Sequence, residues 1–189
     1  MDRPAGLRTC IYDTAQLGAV IDDMARQAAG LLGGRSRIAV IGVLRRGAPL
    51  ADRLTAALTQ HFNVPPPLRI DLSVKRYADD LTLLFPDTQL KDEGPQAAID
   101  LAGYSLLVVD DVLYTGHSLL RVVDYLARRR PAEIRVATLA DRGATRLPMR
   151  ADVVGVRLDI APSDIIECNV PPYEPEFKIE LLQPARDAA

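Results

Sequence analysis

The chain is short of cysteine and histidine, with two of each among 189 residues. Cys10 and Cys168 stand far apart and form no C-x-x-C, which excludes a small disulfide scaffold and reads as reduced thiols in or near a core. His61 and His117 are too few and too separated for a His/Cys metal centre. No apolar run approaches the roughly 20 residues that cross a bilayer. The N-terminal M-D-R-P-A-G-L-R lacks the apolar core of a signal peptide, so the expected location is the cytoplasm, with no membrane partner. A formal net charge of −2 provides no broad nucleic-acid footprint. There is no internal repeat, no low-complexity tract, and no Ser-His-Asp or Cys-His constellation.

What is present is an ordinary globular composition, 48% hydrophobic and 25% charged, at a length that predicts one domain over residues 1–189. Leu17, Val20, Ile21, Met24, Ala28 and Leu31 recur at helical spacing, with Asp13 or Thr14 as cap and Gly33-Gly34 as stop. Ile38 to Val43 is a continuous apolar run, the mark of a strand buried on both faces. From Gly47, the positions Leu50, Leu54, Ala57 and Leu58 predict a second helix. Leu68 to Leu72, Leu106 to Val109, Ile134 to Leu139 and Val153 to Val156 read as further strands. Leu119, Val122, Val123 and Leu126 form another helix face, and Arg128-Arg129-Arg130 suits its solvated end. Ile165 to Cys168 and Phe177 to Leu182 supply edge strands. Strands alternating with helices predict an α/β fold with a mainly parallel sheet and right-handed crossovers. Residues 73–103 break the pattern with a long polar stretch, which in a compact domain is functional or a lid.

The chemistry concentrates in V-V-D-D-V-L-Y-T-G-H-S, residues 108–118, where two adjacent carboxylates meet the end of a buried strand. In a parallel sheet, ligands bind outside the carboxyl ends of the strands. A receiver-type phospho-acceptor site needs its acidic pair after the first strand, and the aspartyl-phosphatase pattern D-x-D-x-T has a different spacing. A ligand carrying both hydroxyls and a phosphate fits better. Asp110 and Asp111 would accept hydrogen bonds from sugar hydroxyls. Thr115-Gly116-His117-Ser118 would offer backbone N–H groups and hydroxyls to an anion at a helix start. Simple helix capping would account for one aspartate but not two. His117 reads equally as a phosphate-loop donor or an exposed helix residue, and Tyr114 as a ribose contact or a solvent-facing ring.

A second turn, Gly42 to Gly47, matches the first half of a Walker A loop, but Ala48-Pro49 stands where lysine and a hydroxyl residue are required. What is left is a glycine-bounded turn carrying Arg45 and Arg46 after a buried strand. Paired guanidinium groups suit a polyanion, although surface arginines are the bland reading.

The 108–118 stretch resembles the phosphoribosyl-pyrophosphate signature of type I phosphoribosyltransferases. With D-R-G at 141–143 and L-P-M-R-A-D-V-V-G at 147–155, the chain is similar over about residues 10–160 to one branch. That branch is the bifunctional pyrimidine-operon attenuation regulator/uracil phosphoribosyltransferase family. The resemblance implies a type I phosphoribosyltransferase fold with a small hood, built from about 153–182 and the N-terminal segment, and a lid at about 73–100. It implies that phosphoribosyl pyrophosphate and a nucleobase, uracil by resemblance, are the ligands, with magnesium as cofactor and a homodimer as the assembly. Asp110, Asp111, Val112, Tyr114, Thr115, Gly116, His117 and Ser118 would hold ribose 5-phosphate. Leu44, Arg45, Arg46 and Gly47 would form the pyrophosphate loop, and Lys75, Arg76 and Tyr77 of the lid would meet pyrophosphate. Asp110, Asp111, Arg46, Lys75 and Arg76 would be the catalytic set. Leu139, Ala140, Asp141 and Arg142 would line the base pocket, and Asp110, Asp111 and Asp152 would hold the metal.

Five departures from the branch stand out, the first being a longer lid around K-R-Y-A-D-D-L. T-G-H-S replaces its usual T-G-R-T, and Ala144-Thr145 follows D-R-G where a histidine is usual. Leu44 and Arg45 occupy positions the branch gives to lysine and threonine, and the C-terminal N-V-P-P-Y-E-P-E-F-K-I-E-L has no assigned role. Together with the acidic balance they speak against RNA binding. The expected reaction is displacement of pyrophosphate by a base through an oxocarbenium-like transition state, driven by positioning and electrostatics. The competing expectation is a non-catalytic sensor that binds the same ligand and regulates RNA or a protein.

Overall fold

The computed structural model describes residues 6–73 and 99–185. In chain order the elements are β1 (Gly6–Tyr12), α1 (Thr14–Leu32), β2 (Ile38–Val43), α2 (Gly47–His61), β3 (Leu68–Leu72) and β4 (Ser105–Leu113). They continue with α3 (His117–Ala127), β5 (Glu133–Asp141), β6 (Val153–Arg157), β7 (Ile165–Asn169) and β8 (Lys178–Pro184).

Five parallel strands form the central sheet in the order β3-β2-β4-β5-β6. Every residue of β2 is buried because both faces of the sheet are covered. On one face Val40, Leu107, Val109 and Leu139 pack with Leu17, Met24, Leu50 and Leu54 of α1 and α2. On the other, Ile41, Leu106 and Val108 pack with Leu119, Val122 and Leu126 of α3. Each fully buried leucine of this kind contributes about 2 kcal/mol of transfer free energy, so the sheet and its helices hold the site's scaffold rigidly. The start of α1 follows the capping logic: Asp13 accepts from the Gln16 N–H while the Gln16 side chain accepts from the Asp13 N–H.

β4 runs well past its apolar run. β4 passes straight through Asp110 and Asp111 to Leu113, because Asp110 pairs opposite Thr138 and Leu113 opposite Asp141 of β5. Its pairing with β2 stops earlier, at Val109 opposite Gly42. The twin aspartates therefore lie on a strand that overhangs its neighbour.

β1, β8 and β7 form a separate antiparallel sheet in the order β1-β8-β7. β6, expected within the hood region from 153, instead belongs to the central sheet, paired with β5 from Val153 opposite Ala137. The C-terminal part of the small sheet therefore begins later, at Ile165.

Candidate active site

Strand order reverses between β2 and β4: from β2 the chain goes on to β3 at one side, then crosses to β4 at the other. The crevice beyond their carboxyl ends is where an open parallel sheet binds ligands. Two turns meet there. Leu44-Arg45-Arg46 leaves β2, with a cis peptide between Leu44 and Arg45 and the Leu44 N–H donating to the Leu72 carbonyl at 2.9 Å. Tyr114-Thr115-Gly116 leaves β4 and opens into α3. Gly47 makes the approach feasible. A Cβ there would sit 2.4 Å from the Val109 carbonyl oxygen and 3.2 Å from the Asp110 Cα, so α2 can start against β4 only without a side chain.

The second turn is shaped for an anion. Gly116 adopts φ 87°, the left-handed region that glycine reaches without strain. The first turn of α3 then points backbone N–H groups, which have no partner inside the helix, toward the crevice with the positive end of the helix dipole. Thr115 and His117 are half-buried and touch, with the His117 Nδ1 3.0 Å from the Thr115 Oγ1. Ser118 is exposed. Tyr114 is 40% exposed at the crevice edge, with the Arg142 guanidinium 4.3 Å above its ring.

Asp111 is buried and Asp110 half-buried, and Asp110 accepts the Asp111 N–H at 2.9 Å. Arg46 Nη1 lies 3.8 Å from Asp111 Oδ2, which offsets part of the repulsion between the neighbouring carboxylates. The other edge of Arg46 is taken by Glu174, at 2.6 Å from Nη2 and 3.2 Å from Nε. That hydrogen bond first, and then the charge of Asp111, raises the Arg46 pKa further above its usual value. Cys168 supports Asp111 from behind, its Sγ 3.8 Å from the Asp111 carbonyl oxygen. Burial, followed by the charge of Asp111, pushes its thiol pKa well up, so it stays a neutral packing group. Val112, half-buried on β4, packs against the core.

Two expectations require correction. Asp152 does not join the aspartate pair. It precedes β6, level with Val136 on the amino side of β5, while Asp110 is level with Thr138 on β4. Both its oxygens are engaged, by the Val136 N–H at 2.9 Å and Arg135 Nη1 at 3.1 Å. Leu139 and Ala140 are wholly buried in the core, so their side chains face no ligand. Only Asp141 and Arg142 reach the carboxyl edge. There Asp141 accepts the Gly143 N–H and Arg142 donates to the Ala161 and Pro162 carbonyls. Lys75, Arg76, Tyr77 and the rest of the expected lid from 74 to 98 lie outside the described residues.

Glu174 is the residue that local reading passes over. It sits in the unassigned P-P-Y-E-P tail, where a lone acid among prolines was the only signal. Tyr173 beside it lies under Arg45, 5.2 Å from guanidinium to ring centre. As a whole, the crevice can bind an anion at α3, accept hydroxyl hydrogen bonds at Asp110 and Asp111, and meet further negative charge at Arg45 and Arg46.

Residues 8–176 match the family described as phosphoribosyl transferase domain. The chain is 38% identical over 146 residues to the bifunctional protein PyrR of Roseiflexus sp., covering 77% of this chain and 78% of that one. It is 36% identical over 152 residues to the bifunctional protein PyrR of Deinococcus radiodurans, covering 80% and 81%. Among solved structures, the hypoxanthine phosphoribosyltransferase of Trypanosoma cruzi superposes with a TM-score of 0.71 at 22% identity, over 94% of this chain and 97% of that one. At that identity the likeness speaks for the fold alone.

Proposed function

The chain belongs to the type I phosphoribosyltransferases, within the PyrR family, and from that premise we propose that it transfers the phosphoribosyl group of phosphoribosyl pyrophosphate to uracil. The observation that carries this reading is that the turns after β2 and β4 both open at the carboxyl end of the β2/β4 crevice, with the start of α2 seated on β4, Gly47 against Val109. A sugar bearing a phosphate at one end and a diphosphate at the other has a partner for each part. The α3 start, Thr115 to Ser118, takes the 5-phosphate. Asp110 and Asp111 accept the ribose hydroxyls. Arg45 and Arg46 meet the diphosphate.

In the reaction, a ring nitrogen of the base bonds to ribose C1 as the C1–O bond to diphosphate breaks and its electron pair leaves with diphosphate, while the proton of that ring nitrogen is released to solvent or the departing diphosphate. Positive charge on the ribose at the transition state is favoured by the nearby carboxylates, and the arginines favour charge on the departing diphosphate. Asp141 and Arg142, at the carboxyl edge of β5, flank the space for the base. Asp110 and Asp111 suit magnesium, which binds through one or two carboxylates plus substrate oxygens. When bound it offsets diphosphate charge. Asp152, with both oxygens occupied, takes no part.

The test is to incubate the protein with magnesium, phosphoribosyl pyrophosphate and a panel of bases and to follow pyrophosphate release. Turnover with uracil above all other bases is expected. Turnover confined to a purine would overturn the choice of base. Binding without turnover for any base would leave the regulator reading, which the His117 contact with Thr115 favours because it engages a hydroxyl of the phosphate turn.

A further inference from the structure

Glu174 lies in the segment between β7 and β8, 128 positions from Arg46, yet its carboxylate forks the Arg46 guanidinium. It is 8% exposed, and a carboxylate that deep needs fixed partners. It has them. The Val170 N–H donates to Glu174 Oε2 at 2.8 Å, and the Glu174 N–H returns to the Val170 carbonyl at 3.4 Å. The segment is thus folded so that one carboxylate faces out of the small sheet toward the turn after β2. Arg46 has a four-bond side chain on an irregular turn, and its fork consumes Nε and Nη2 while Nη1 stays on the Asp111 side, 3.8 Å away. A guanidinium held at one edge keeps a single orientation at the other, which reduces the entropy lost when it grips an oxyanion.

We infer that Glu174 is a positioning residue. It fixes the Arg46 guanidinium from the small sheet, so that the turn after β2 is already set to receive diphosphate, and it thereby couples that sheet to the leaving-group end of the site. The inference rests on the assignment of Arg46 to the diphosphate, made above. The opposite possibility is physical too, because the carboxylate occupies the edge an oxyanion would use and could compete with it. The two ideas predict opposite signs.

The experiment measures binding of inorganic pyrophosphate and, separately, of ribose 5-phosphate by calorimetry, alongside steady-state kinetics. For Glu174→Gln, pyrophosphate binding is expected to weaken about tenfold, the loss of one charge-assisted fork. KM for phosphoribosyl pyrophosphate should rise about as much, with kcat changed far less and ribose 5-phosphate binding unaltered. Glu174→Asp should recover part of the loss. Unchanged or tighter pyrophosphate binding in Glu174→Gln overturns the inference, and equal weakening of both ligands overturns it in favour of a merely structural role. If Glu174→Gln does not fold, Arg46→Lys answers the same question from the other side. It keeps the charge but not the fork, and is expected to lose pyrophosphate affinity like Glu174→Gln, where unchanged affinity would overturn the inference. Arg46→Ala separates the two levels. Pyrophosphate binding that survives Arg46→Ala overturns the assignment of Arg46 to diphosphate, whereas Arg46→Ala weakening it while Glu174→Gln does not overturns the role of Glu174 alone.

Discussion

The two ends of the central sheet use the same residue types to opposite effect. At the amino ends, Arg35, Glu133, Arg135 and Asp152 lie side by side. Arg35 meets Glu133 at 2.7 Å, Arg135 meets both Glu133 and Asp152 at 3.1 Å, and Ser105 donates to Glu133 at 3.0 Å. The group closes on itself. At the carboxyl ends two aspartates are adjacent in one strand, and Arg46 stands off from Asp111 at 3.8 Å while reaching across to Glu174 in the segment between β7 and β8. Charges that complete one another within a local network hold strands together. Charges whose partners come from separate turns form a place for something else to bind.

The largest effect is expected at the aspartates. Replacing both, Asp110→Asn with Asp111→Asn, should cut turnover by at least about a hundredfold, with the thermal midpoint moving by only a few degrees. A collapse of the fold measured by melting would show that the carboxyl edge is structural after all. Next in size is Gly47→Ala. Its methyl group must displace the Val109 carbonyl, so a loss of roughly 1–3 kcal/mol of stability is expected in denaturant titrations, accompanied by loss of pyrophosphate affinity as the turn after β2 is pushed away from β4. Smaller effects belong to the amino ends. The hydrogen bond from Arg35, aided by Ser105 and Arg135, lowers the Glu133 pKa to about 2. Its stabilisation is therefore complete above the usual carboxylate range near pH 4.5 and is lost as pH falls toward 2. Glu133→Gln should cost on the order of 1 kcal/mol at pH 7, discounted for solvent screening, and should flatten the acid limb of stability against pH. Asp152→Asn should cost about 1 kcal/mol or less with turnover unchanged. A fall in kcat there would return Asp152 to the site and erase the contrast between the two ends.

Much of the scaffold can be read from local pattern, since Ile38 to Val43 and Leu106 to Val109 are apolar without interruption and α1 carries its cap and its glycine stop. Both lie in short windows where periodicity is decisive. The two turns of the crevice can also be picked out, because glycine, arginine, aspartate and hydroxyl residues cluster in them. What local pattern misses is partnership over distance. β1 is a strand because it pairs with β8, with Leu7 opposite Gln183. Its own residues are largely exposed and show no clean alternation. Glu174 is hidden for the same reason. Asp152 misleads differently: a motif match places a residue along the chain but not at one end of a strand, and the hydrogen bond to Val136 decides which end. Leu139 and Ala140 fail because a strand that approaches a site buries most of its residues before reaching it.

The two cysteines turn out to report on different parts of the molecule. Cys10 is exposed on β1, while Cys168 is buried with its sulfur against Asp111. A thiol-directed reagent should therefore label in two phases, Cys10 at once and Cys168 only when the small sheet lifts from the end of β4. The slow phase is a natural clock for that opening, and a ligand that bridges the crevice should lengthen it.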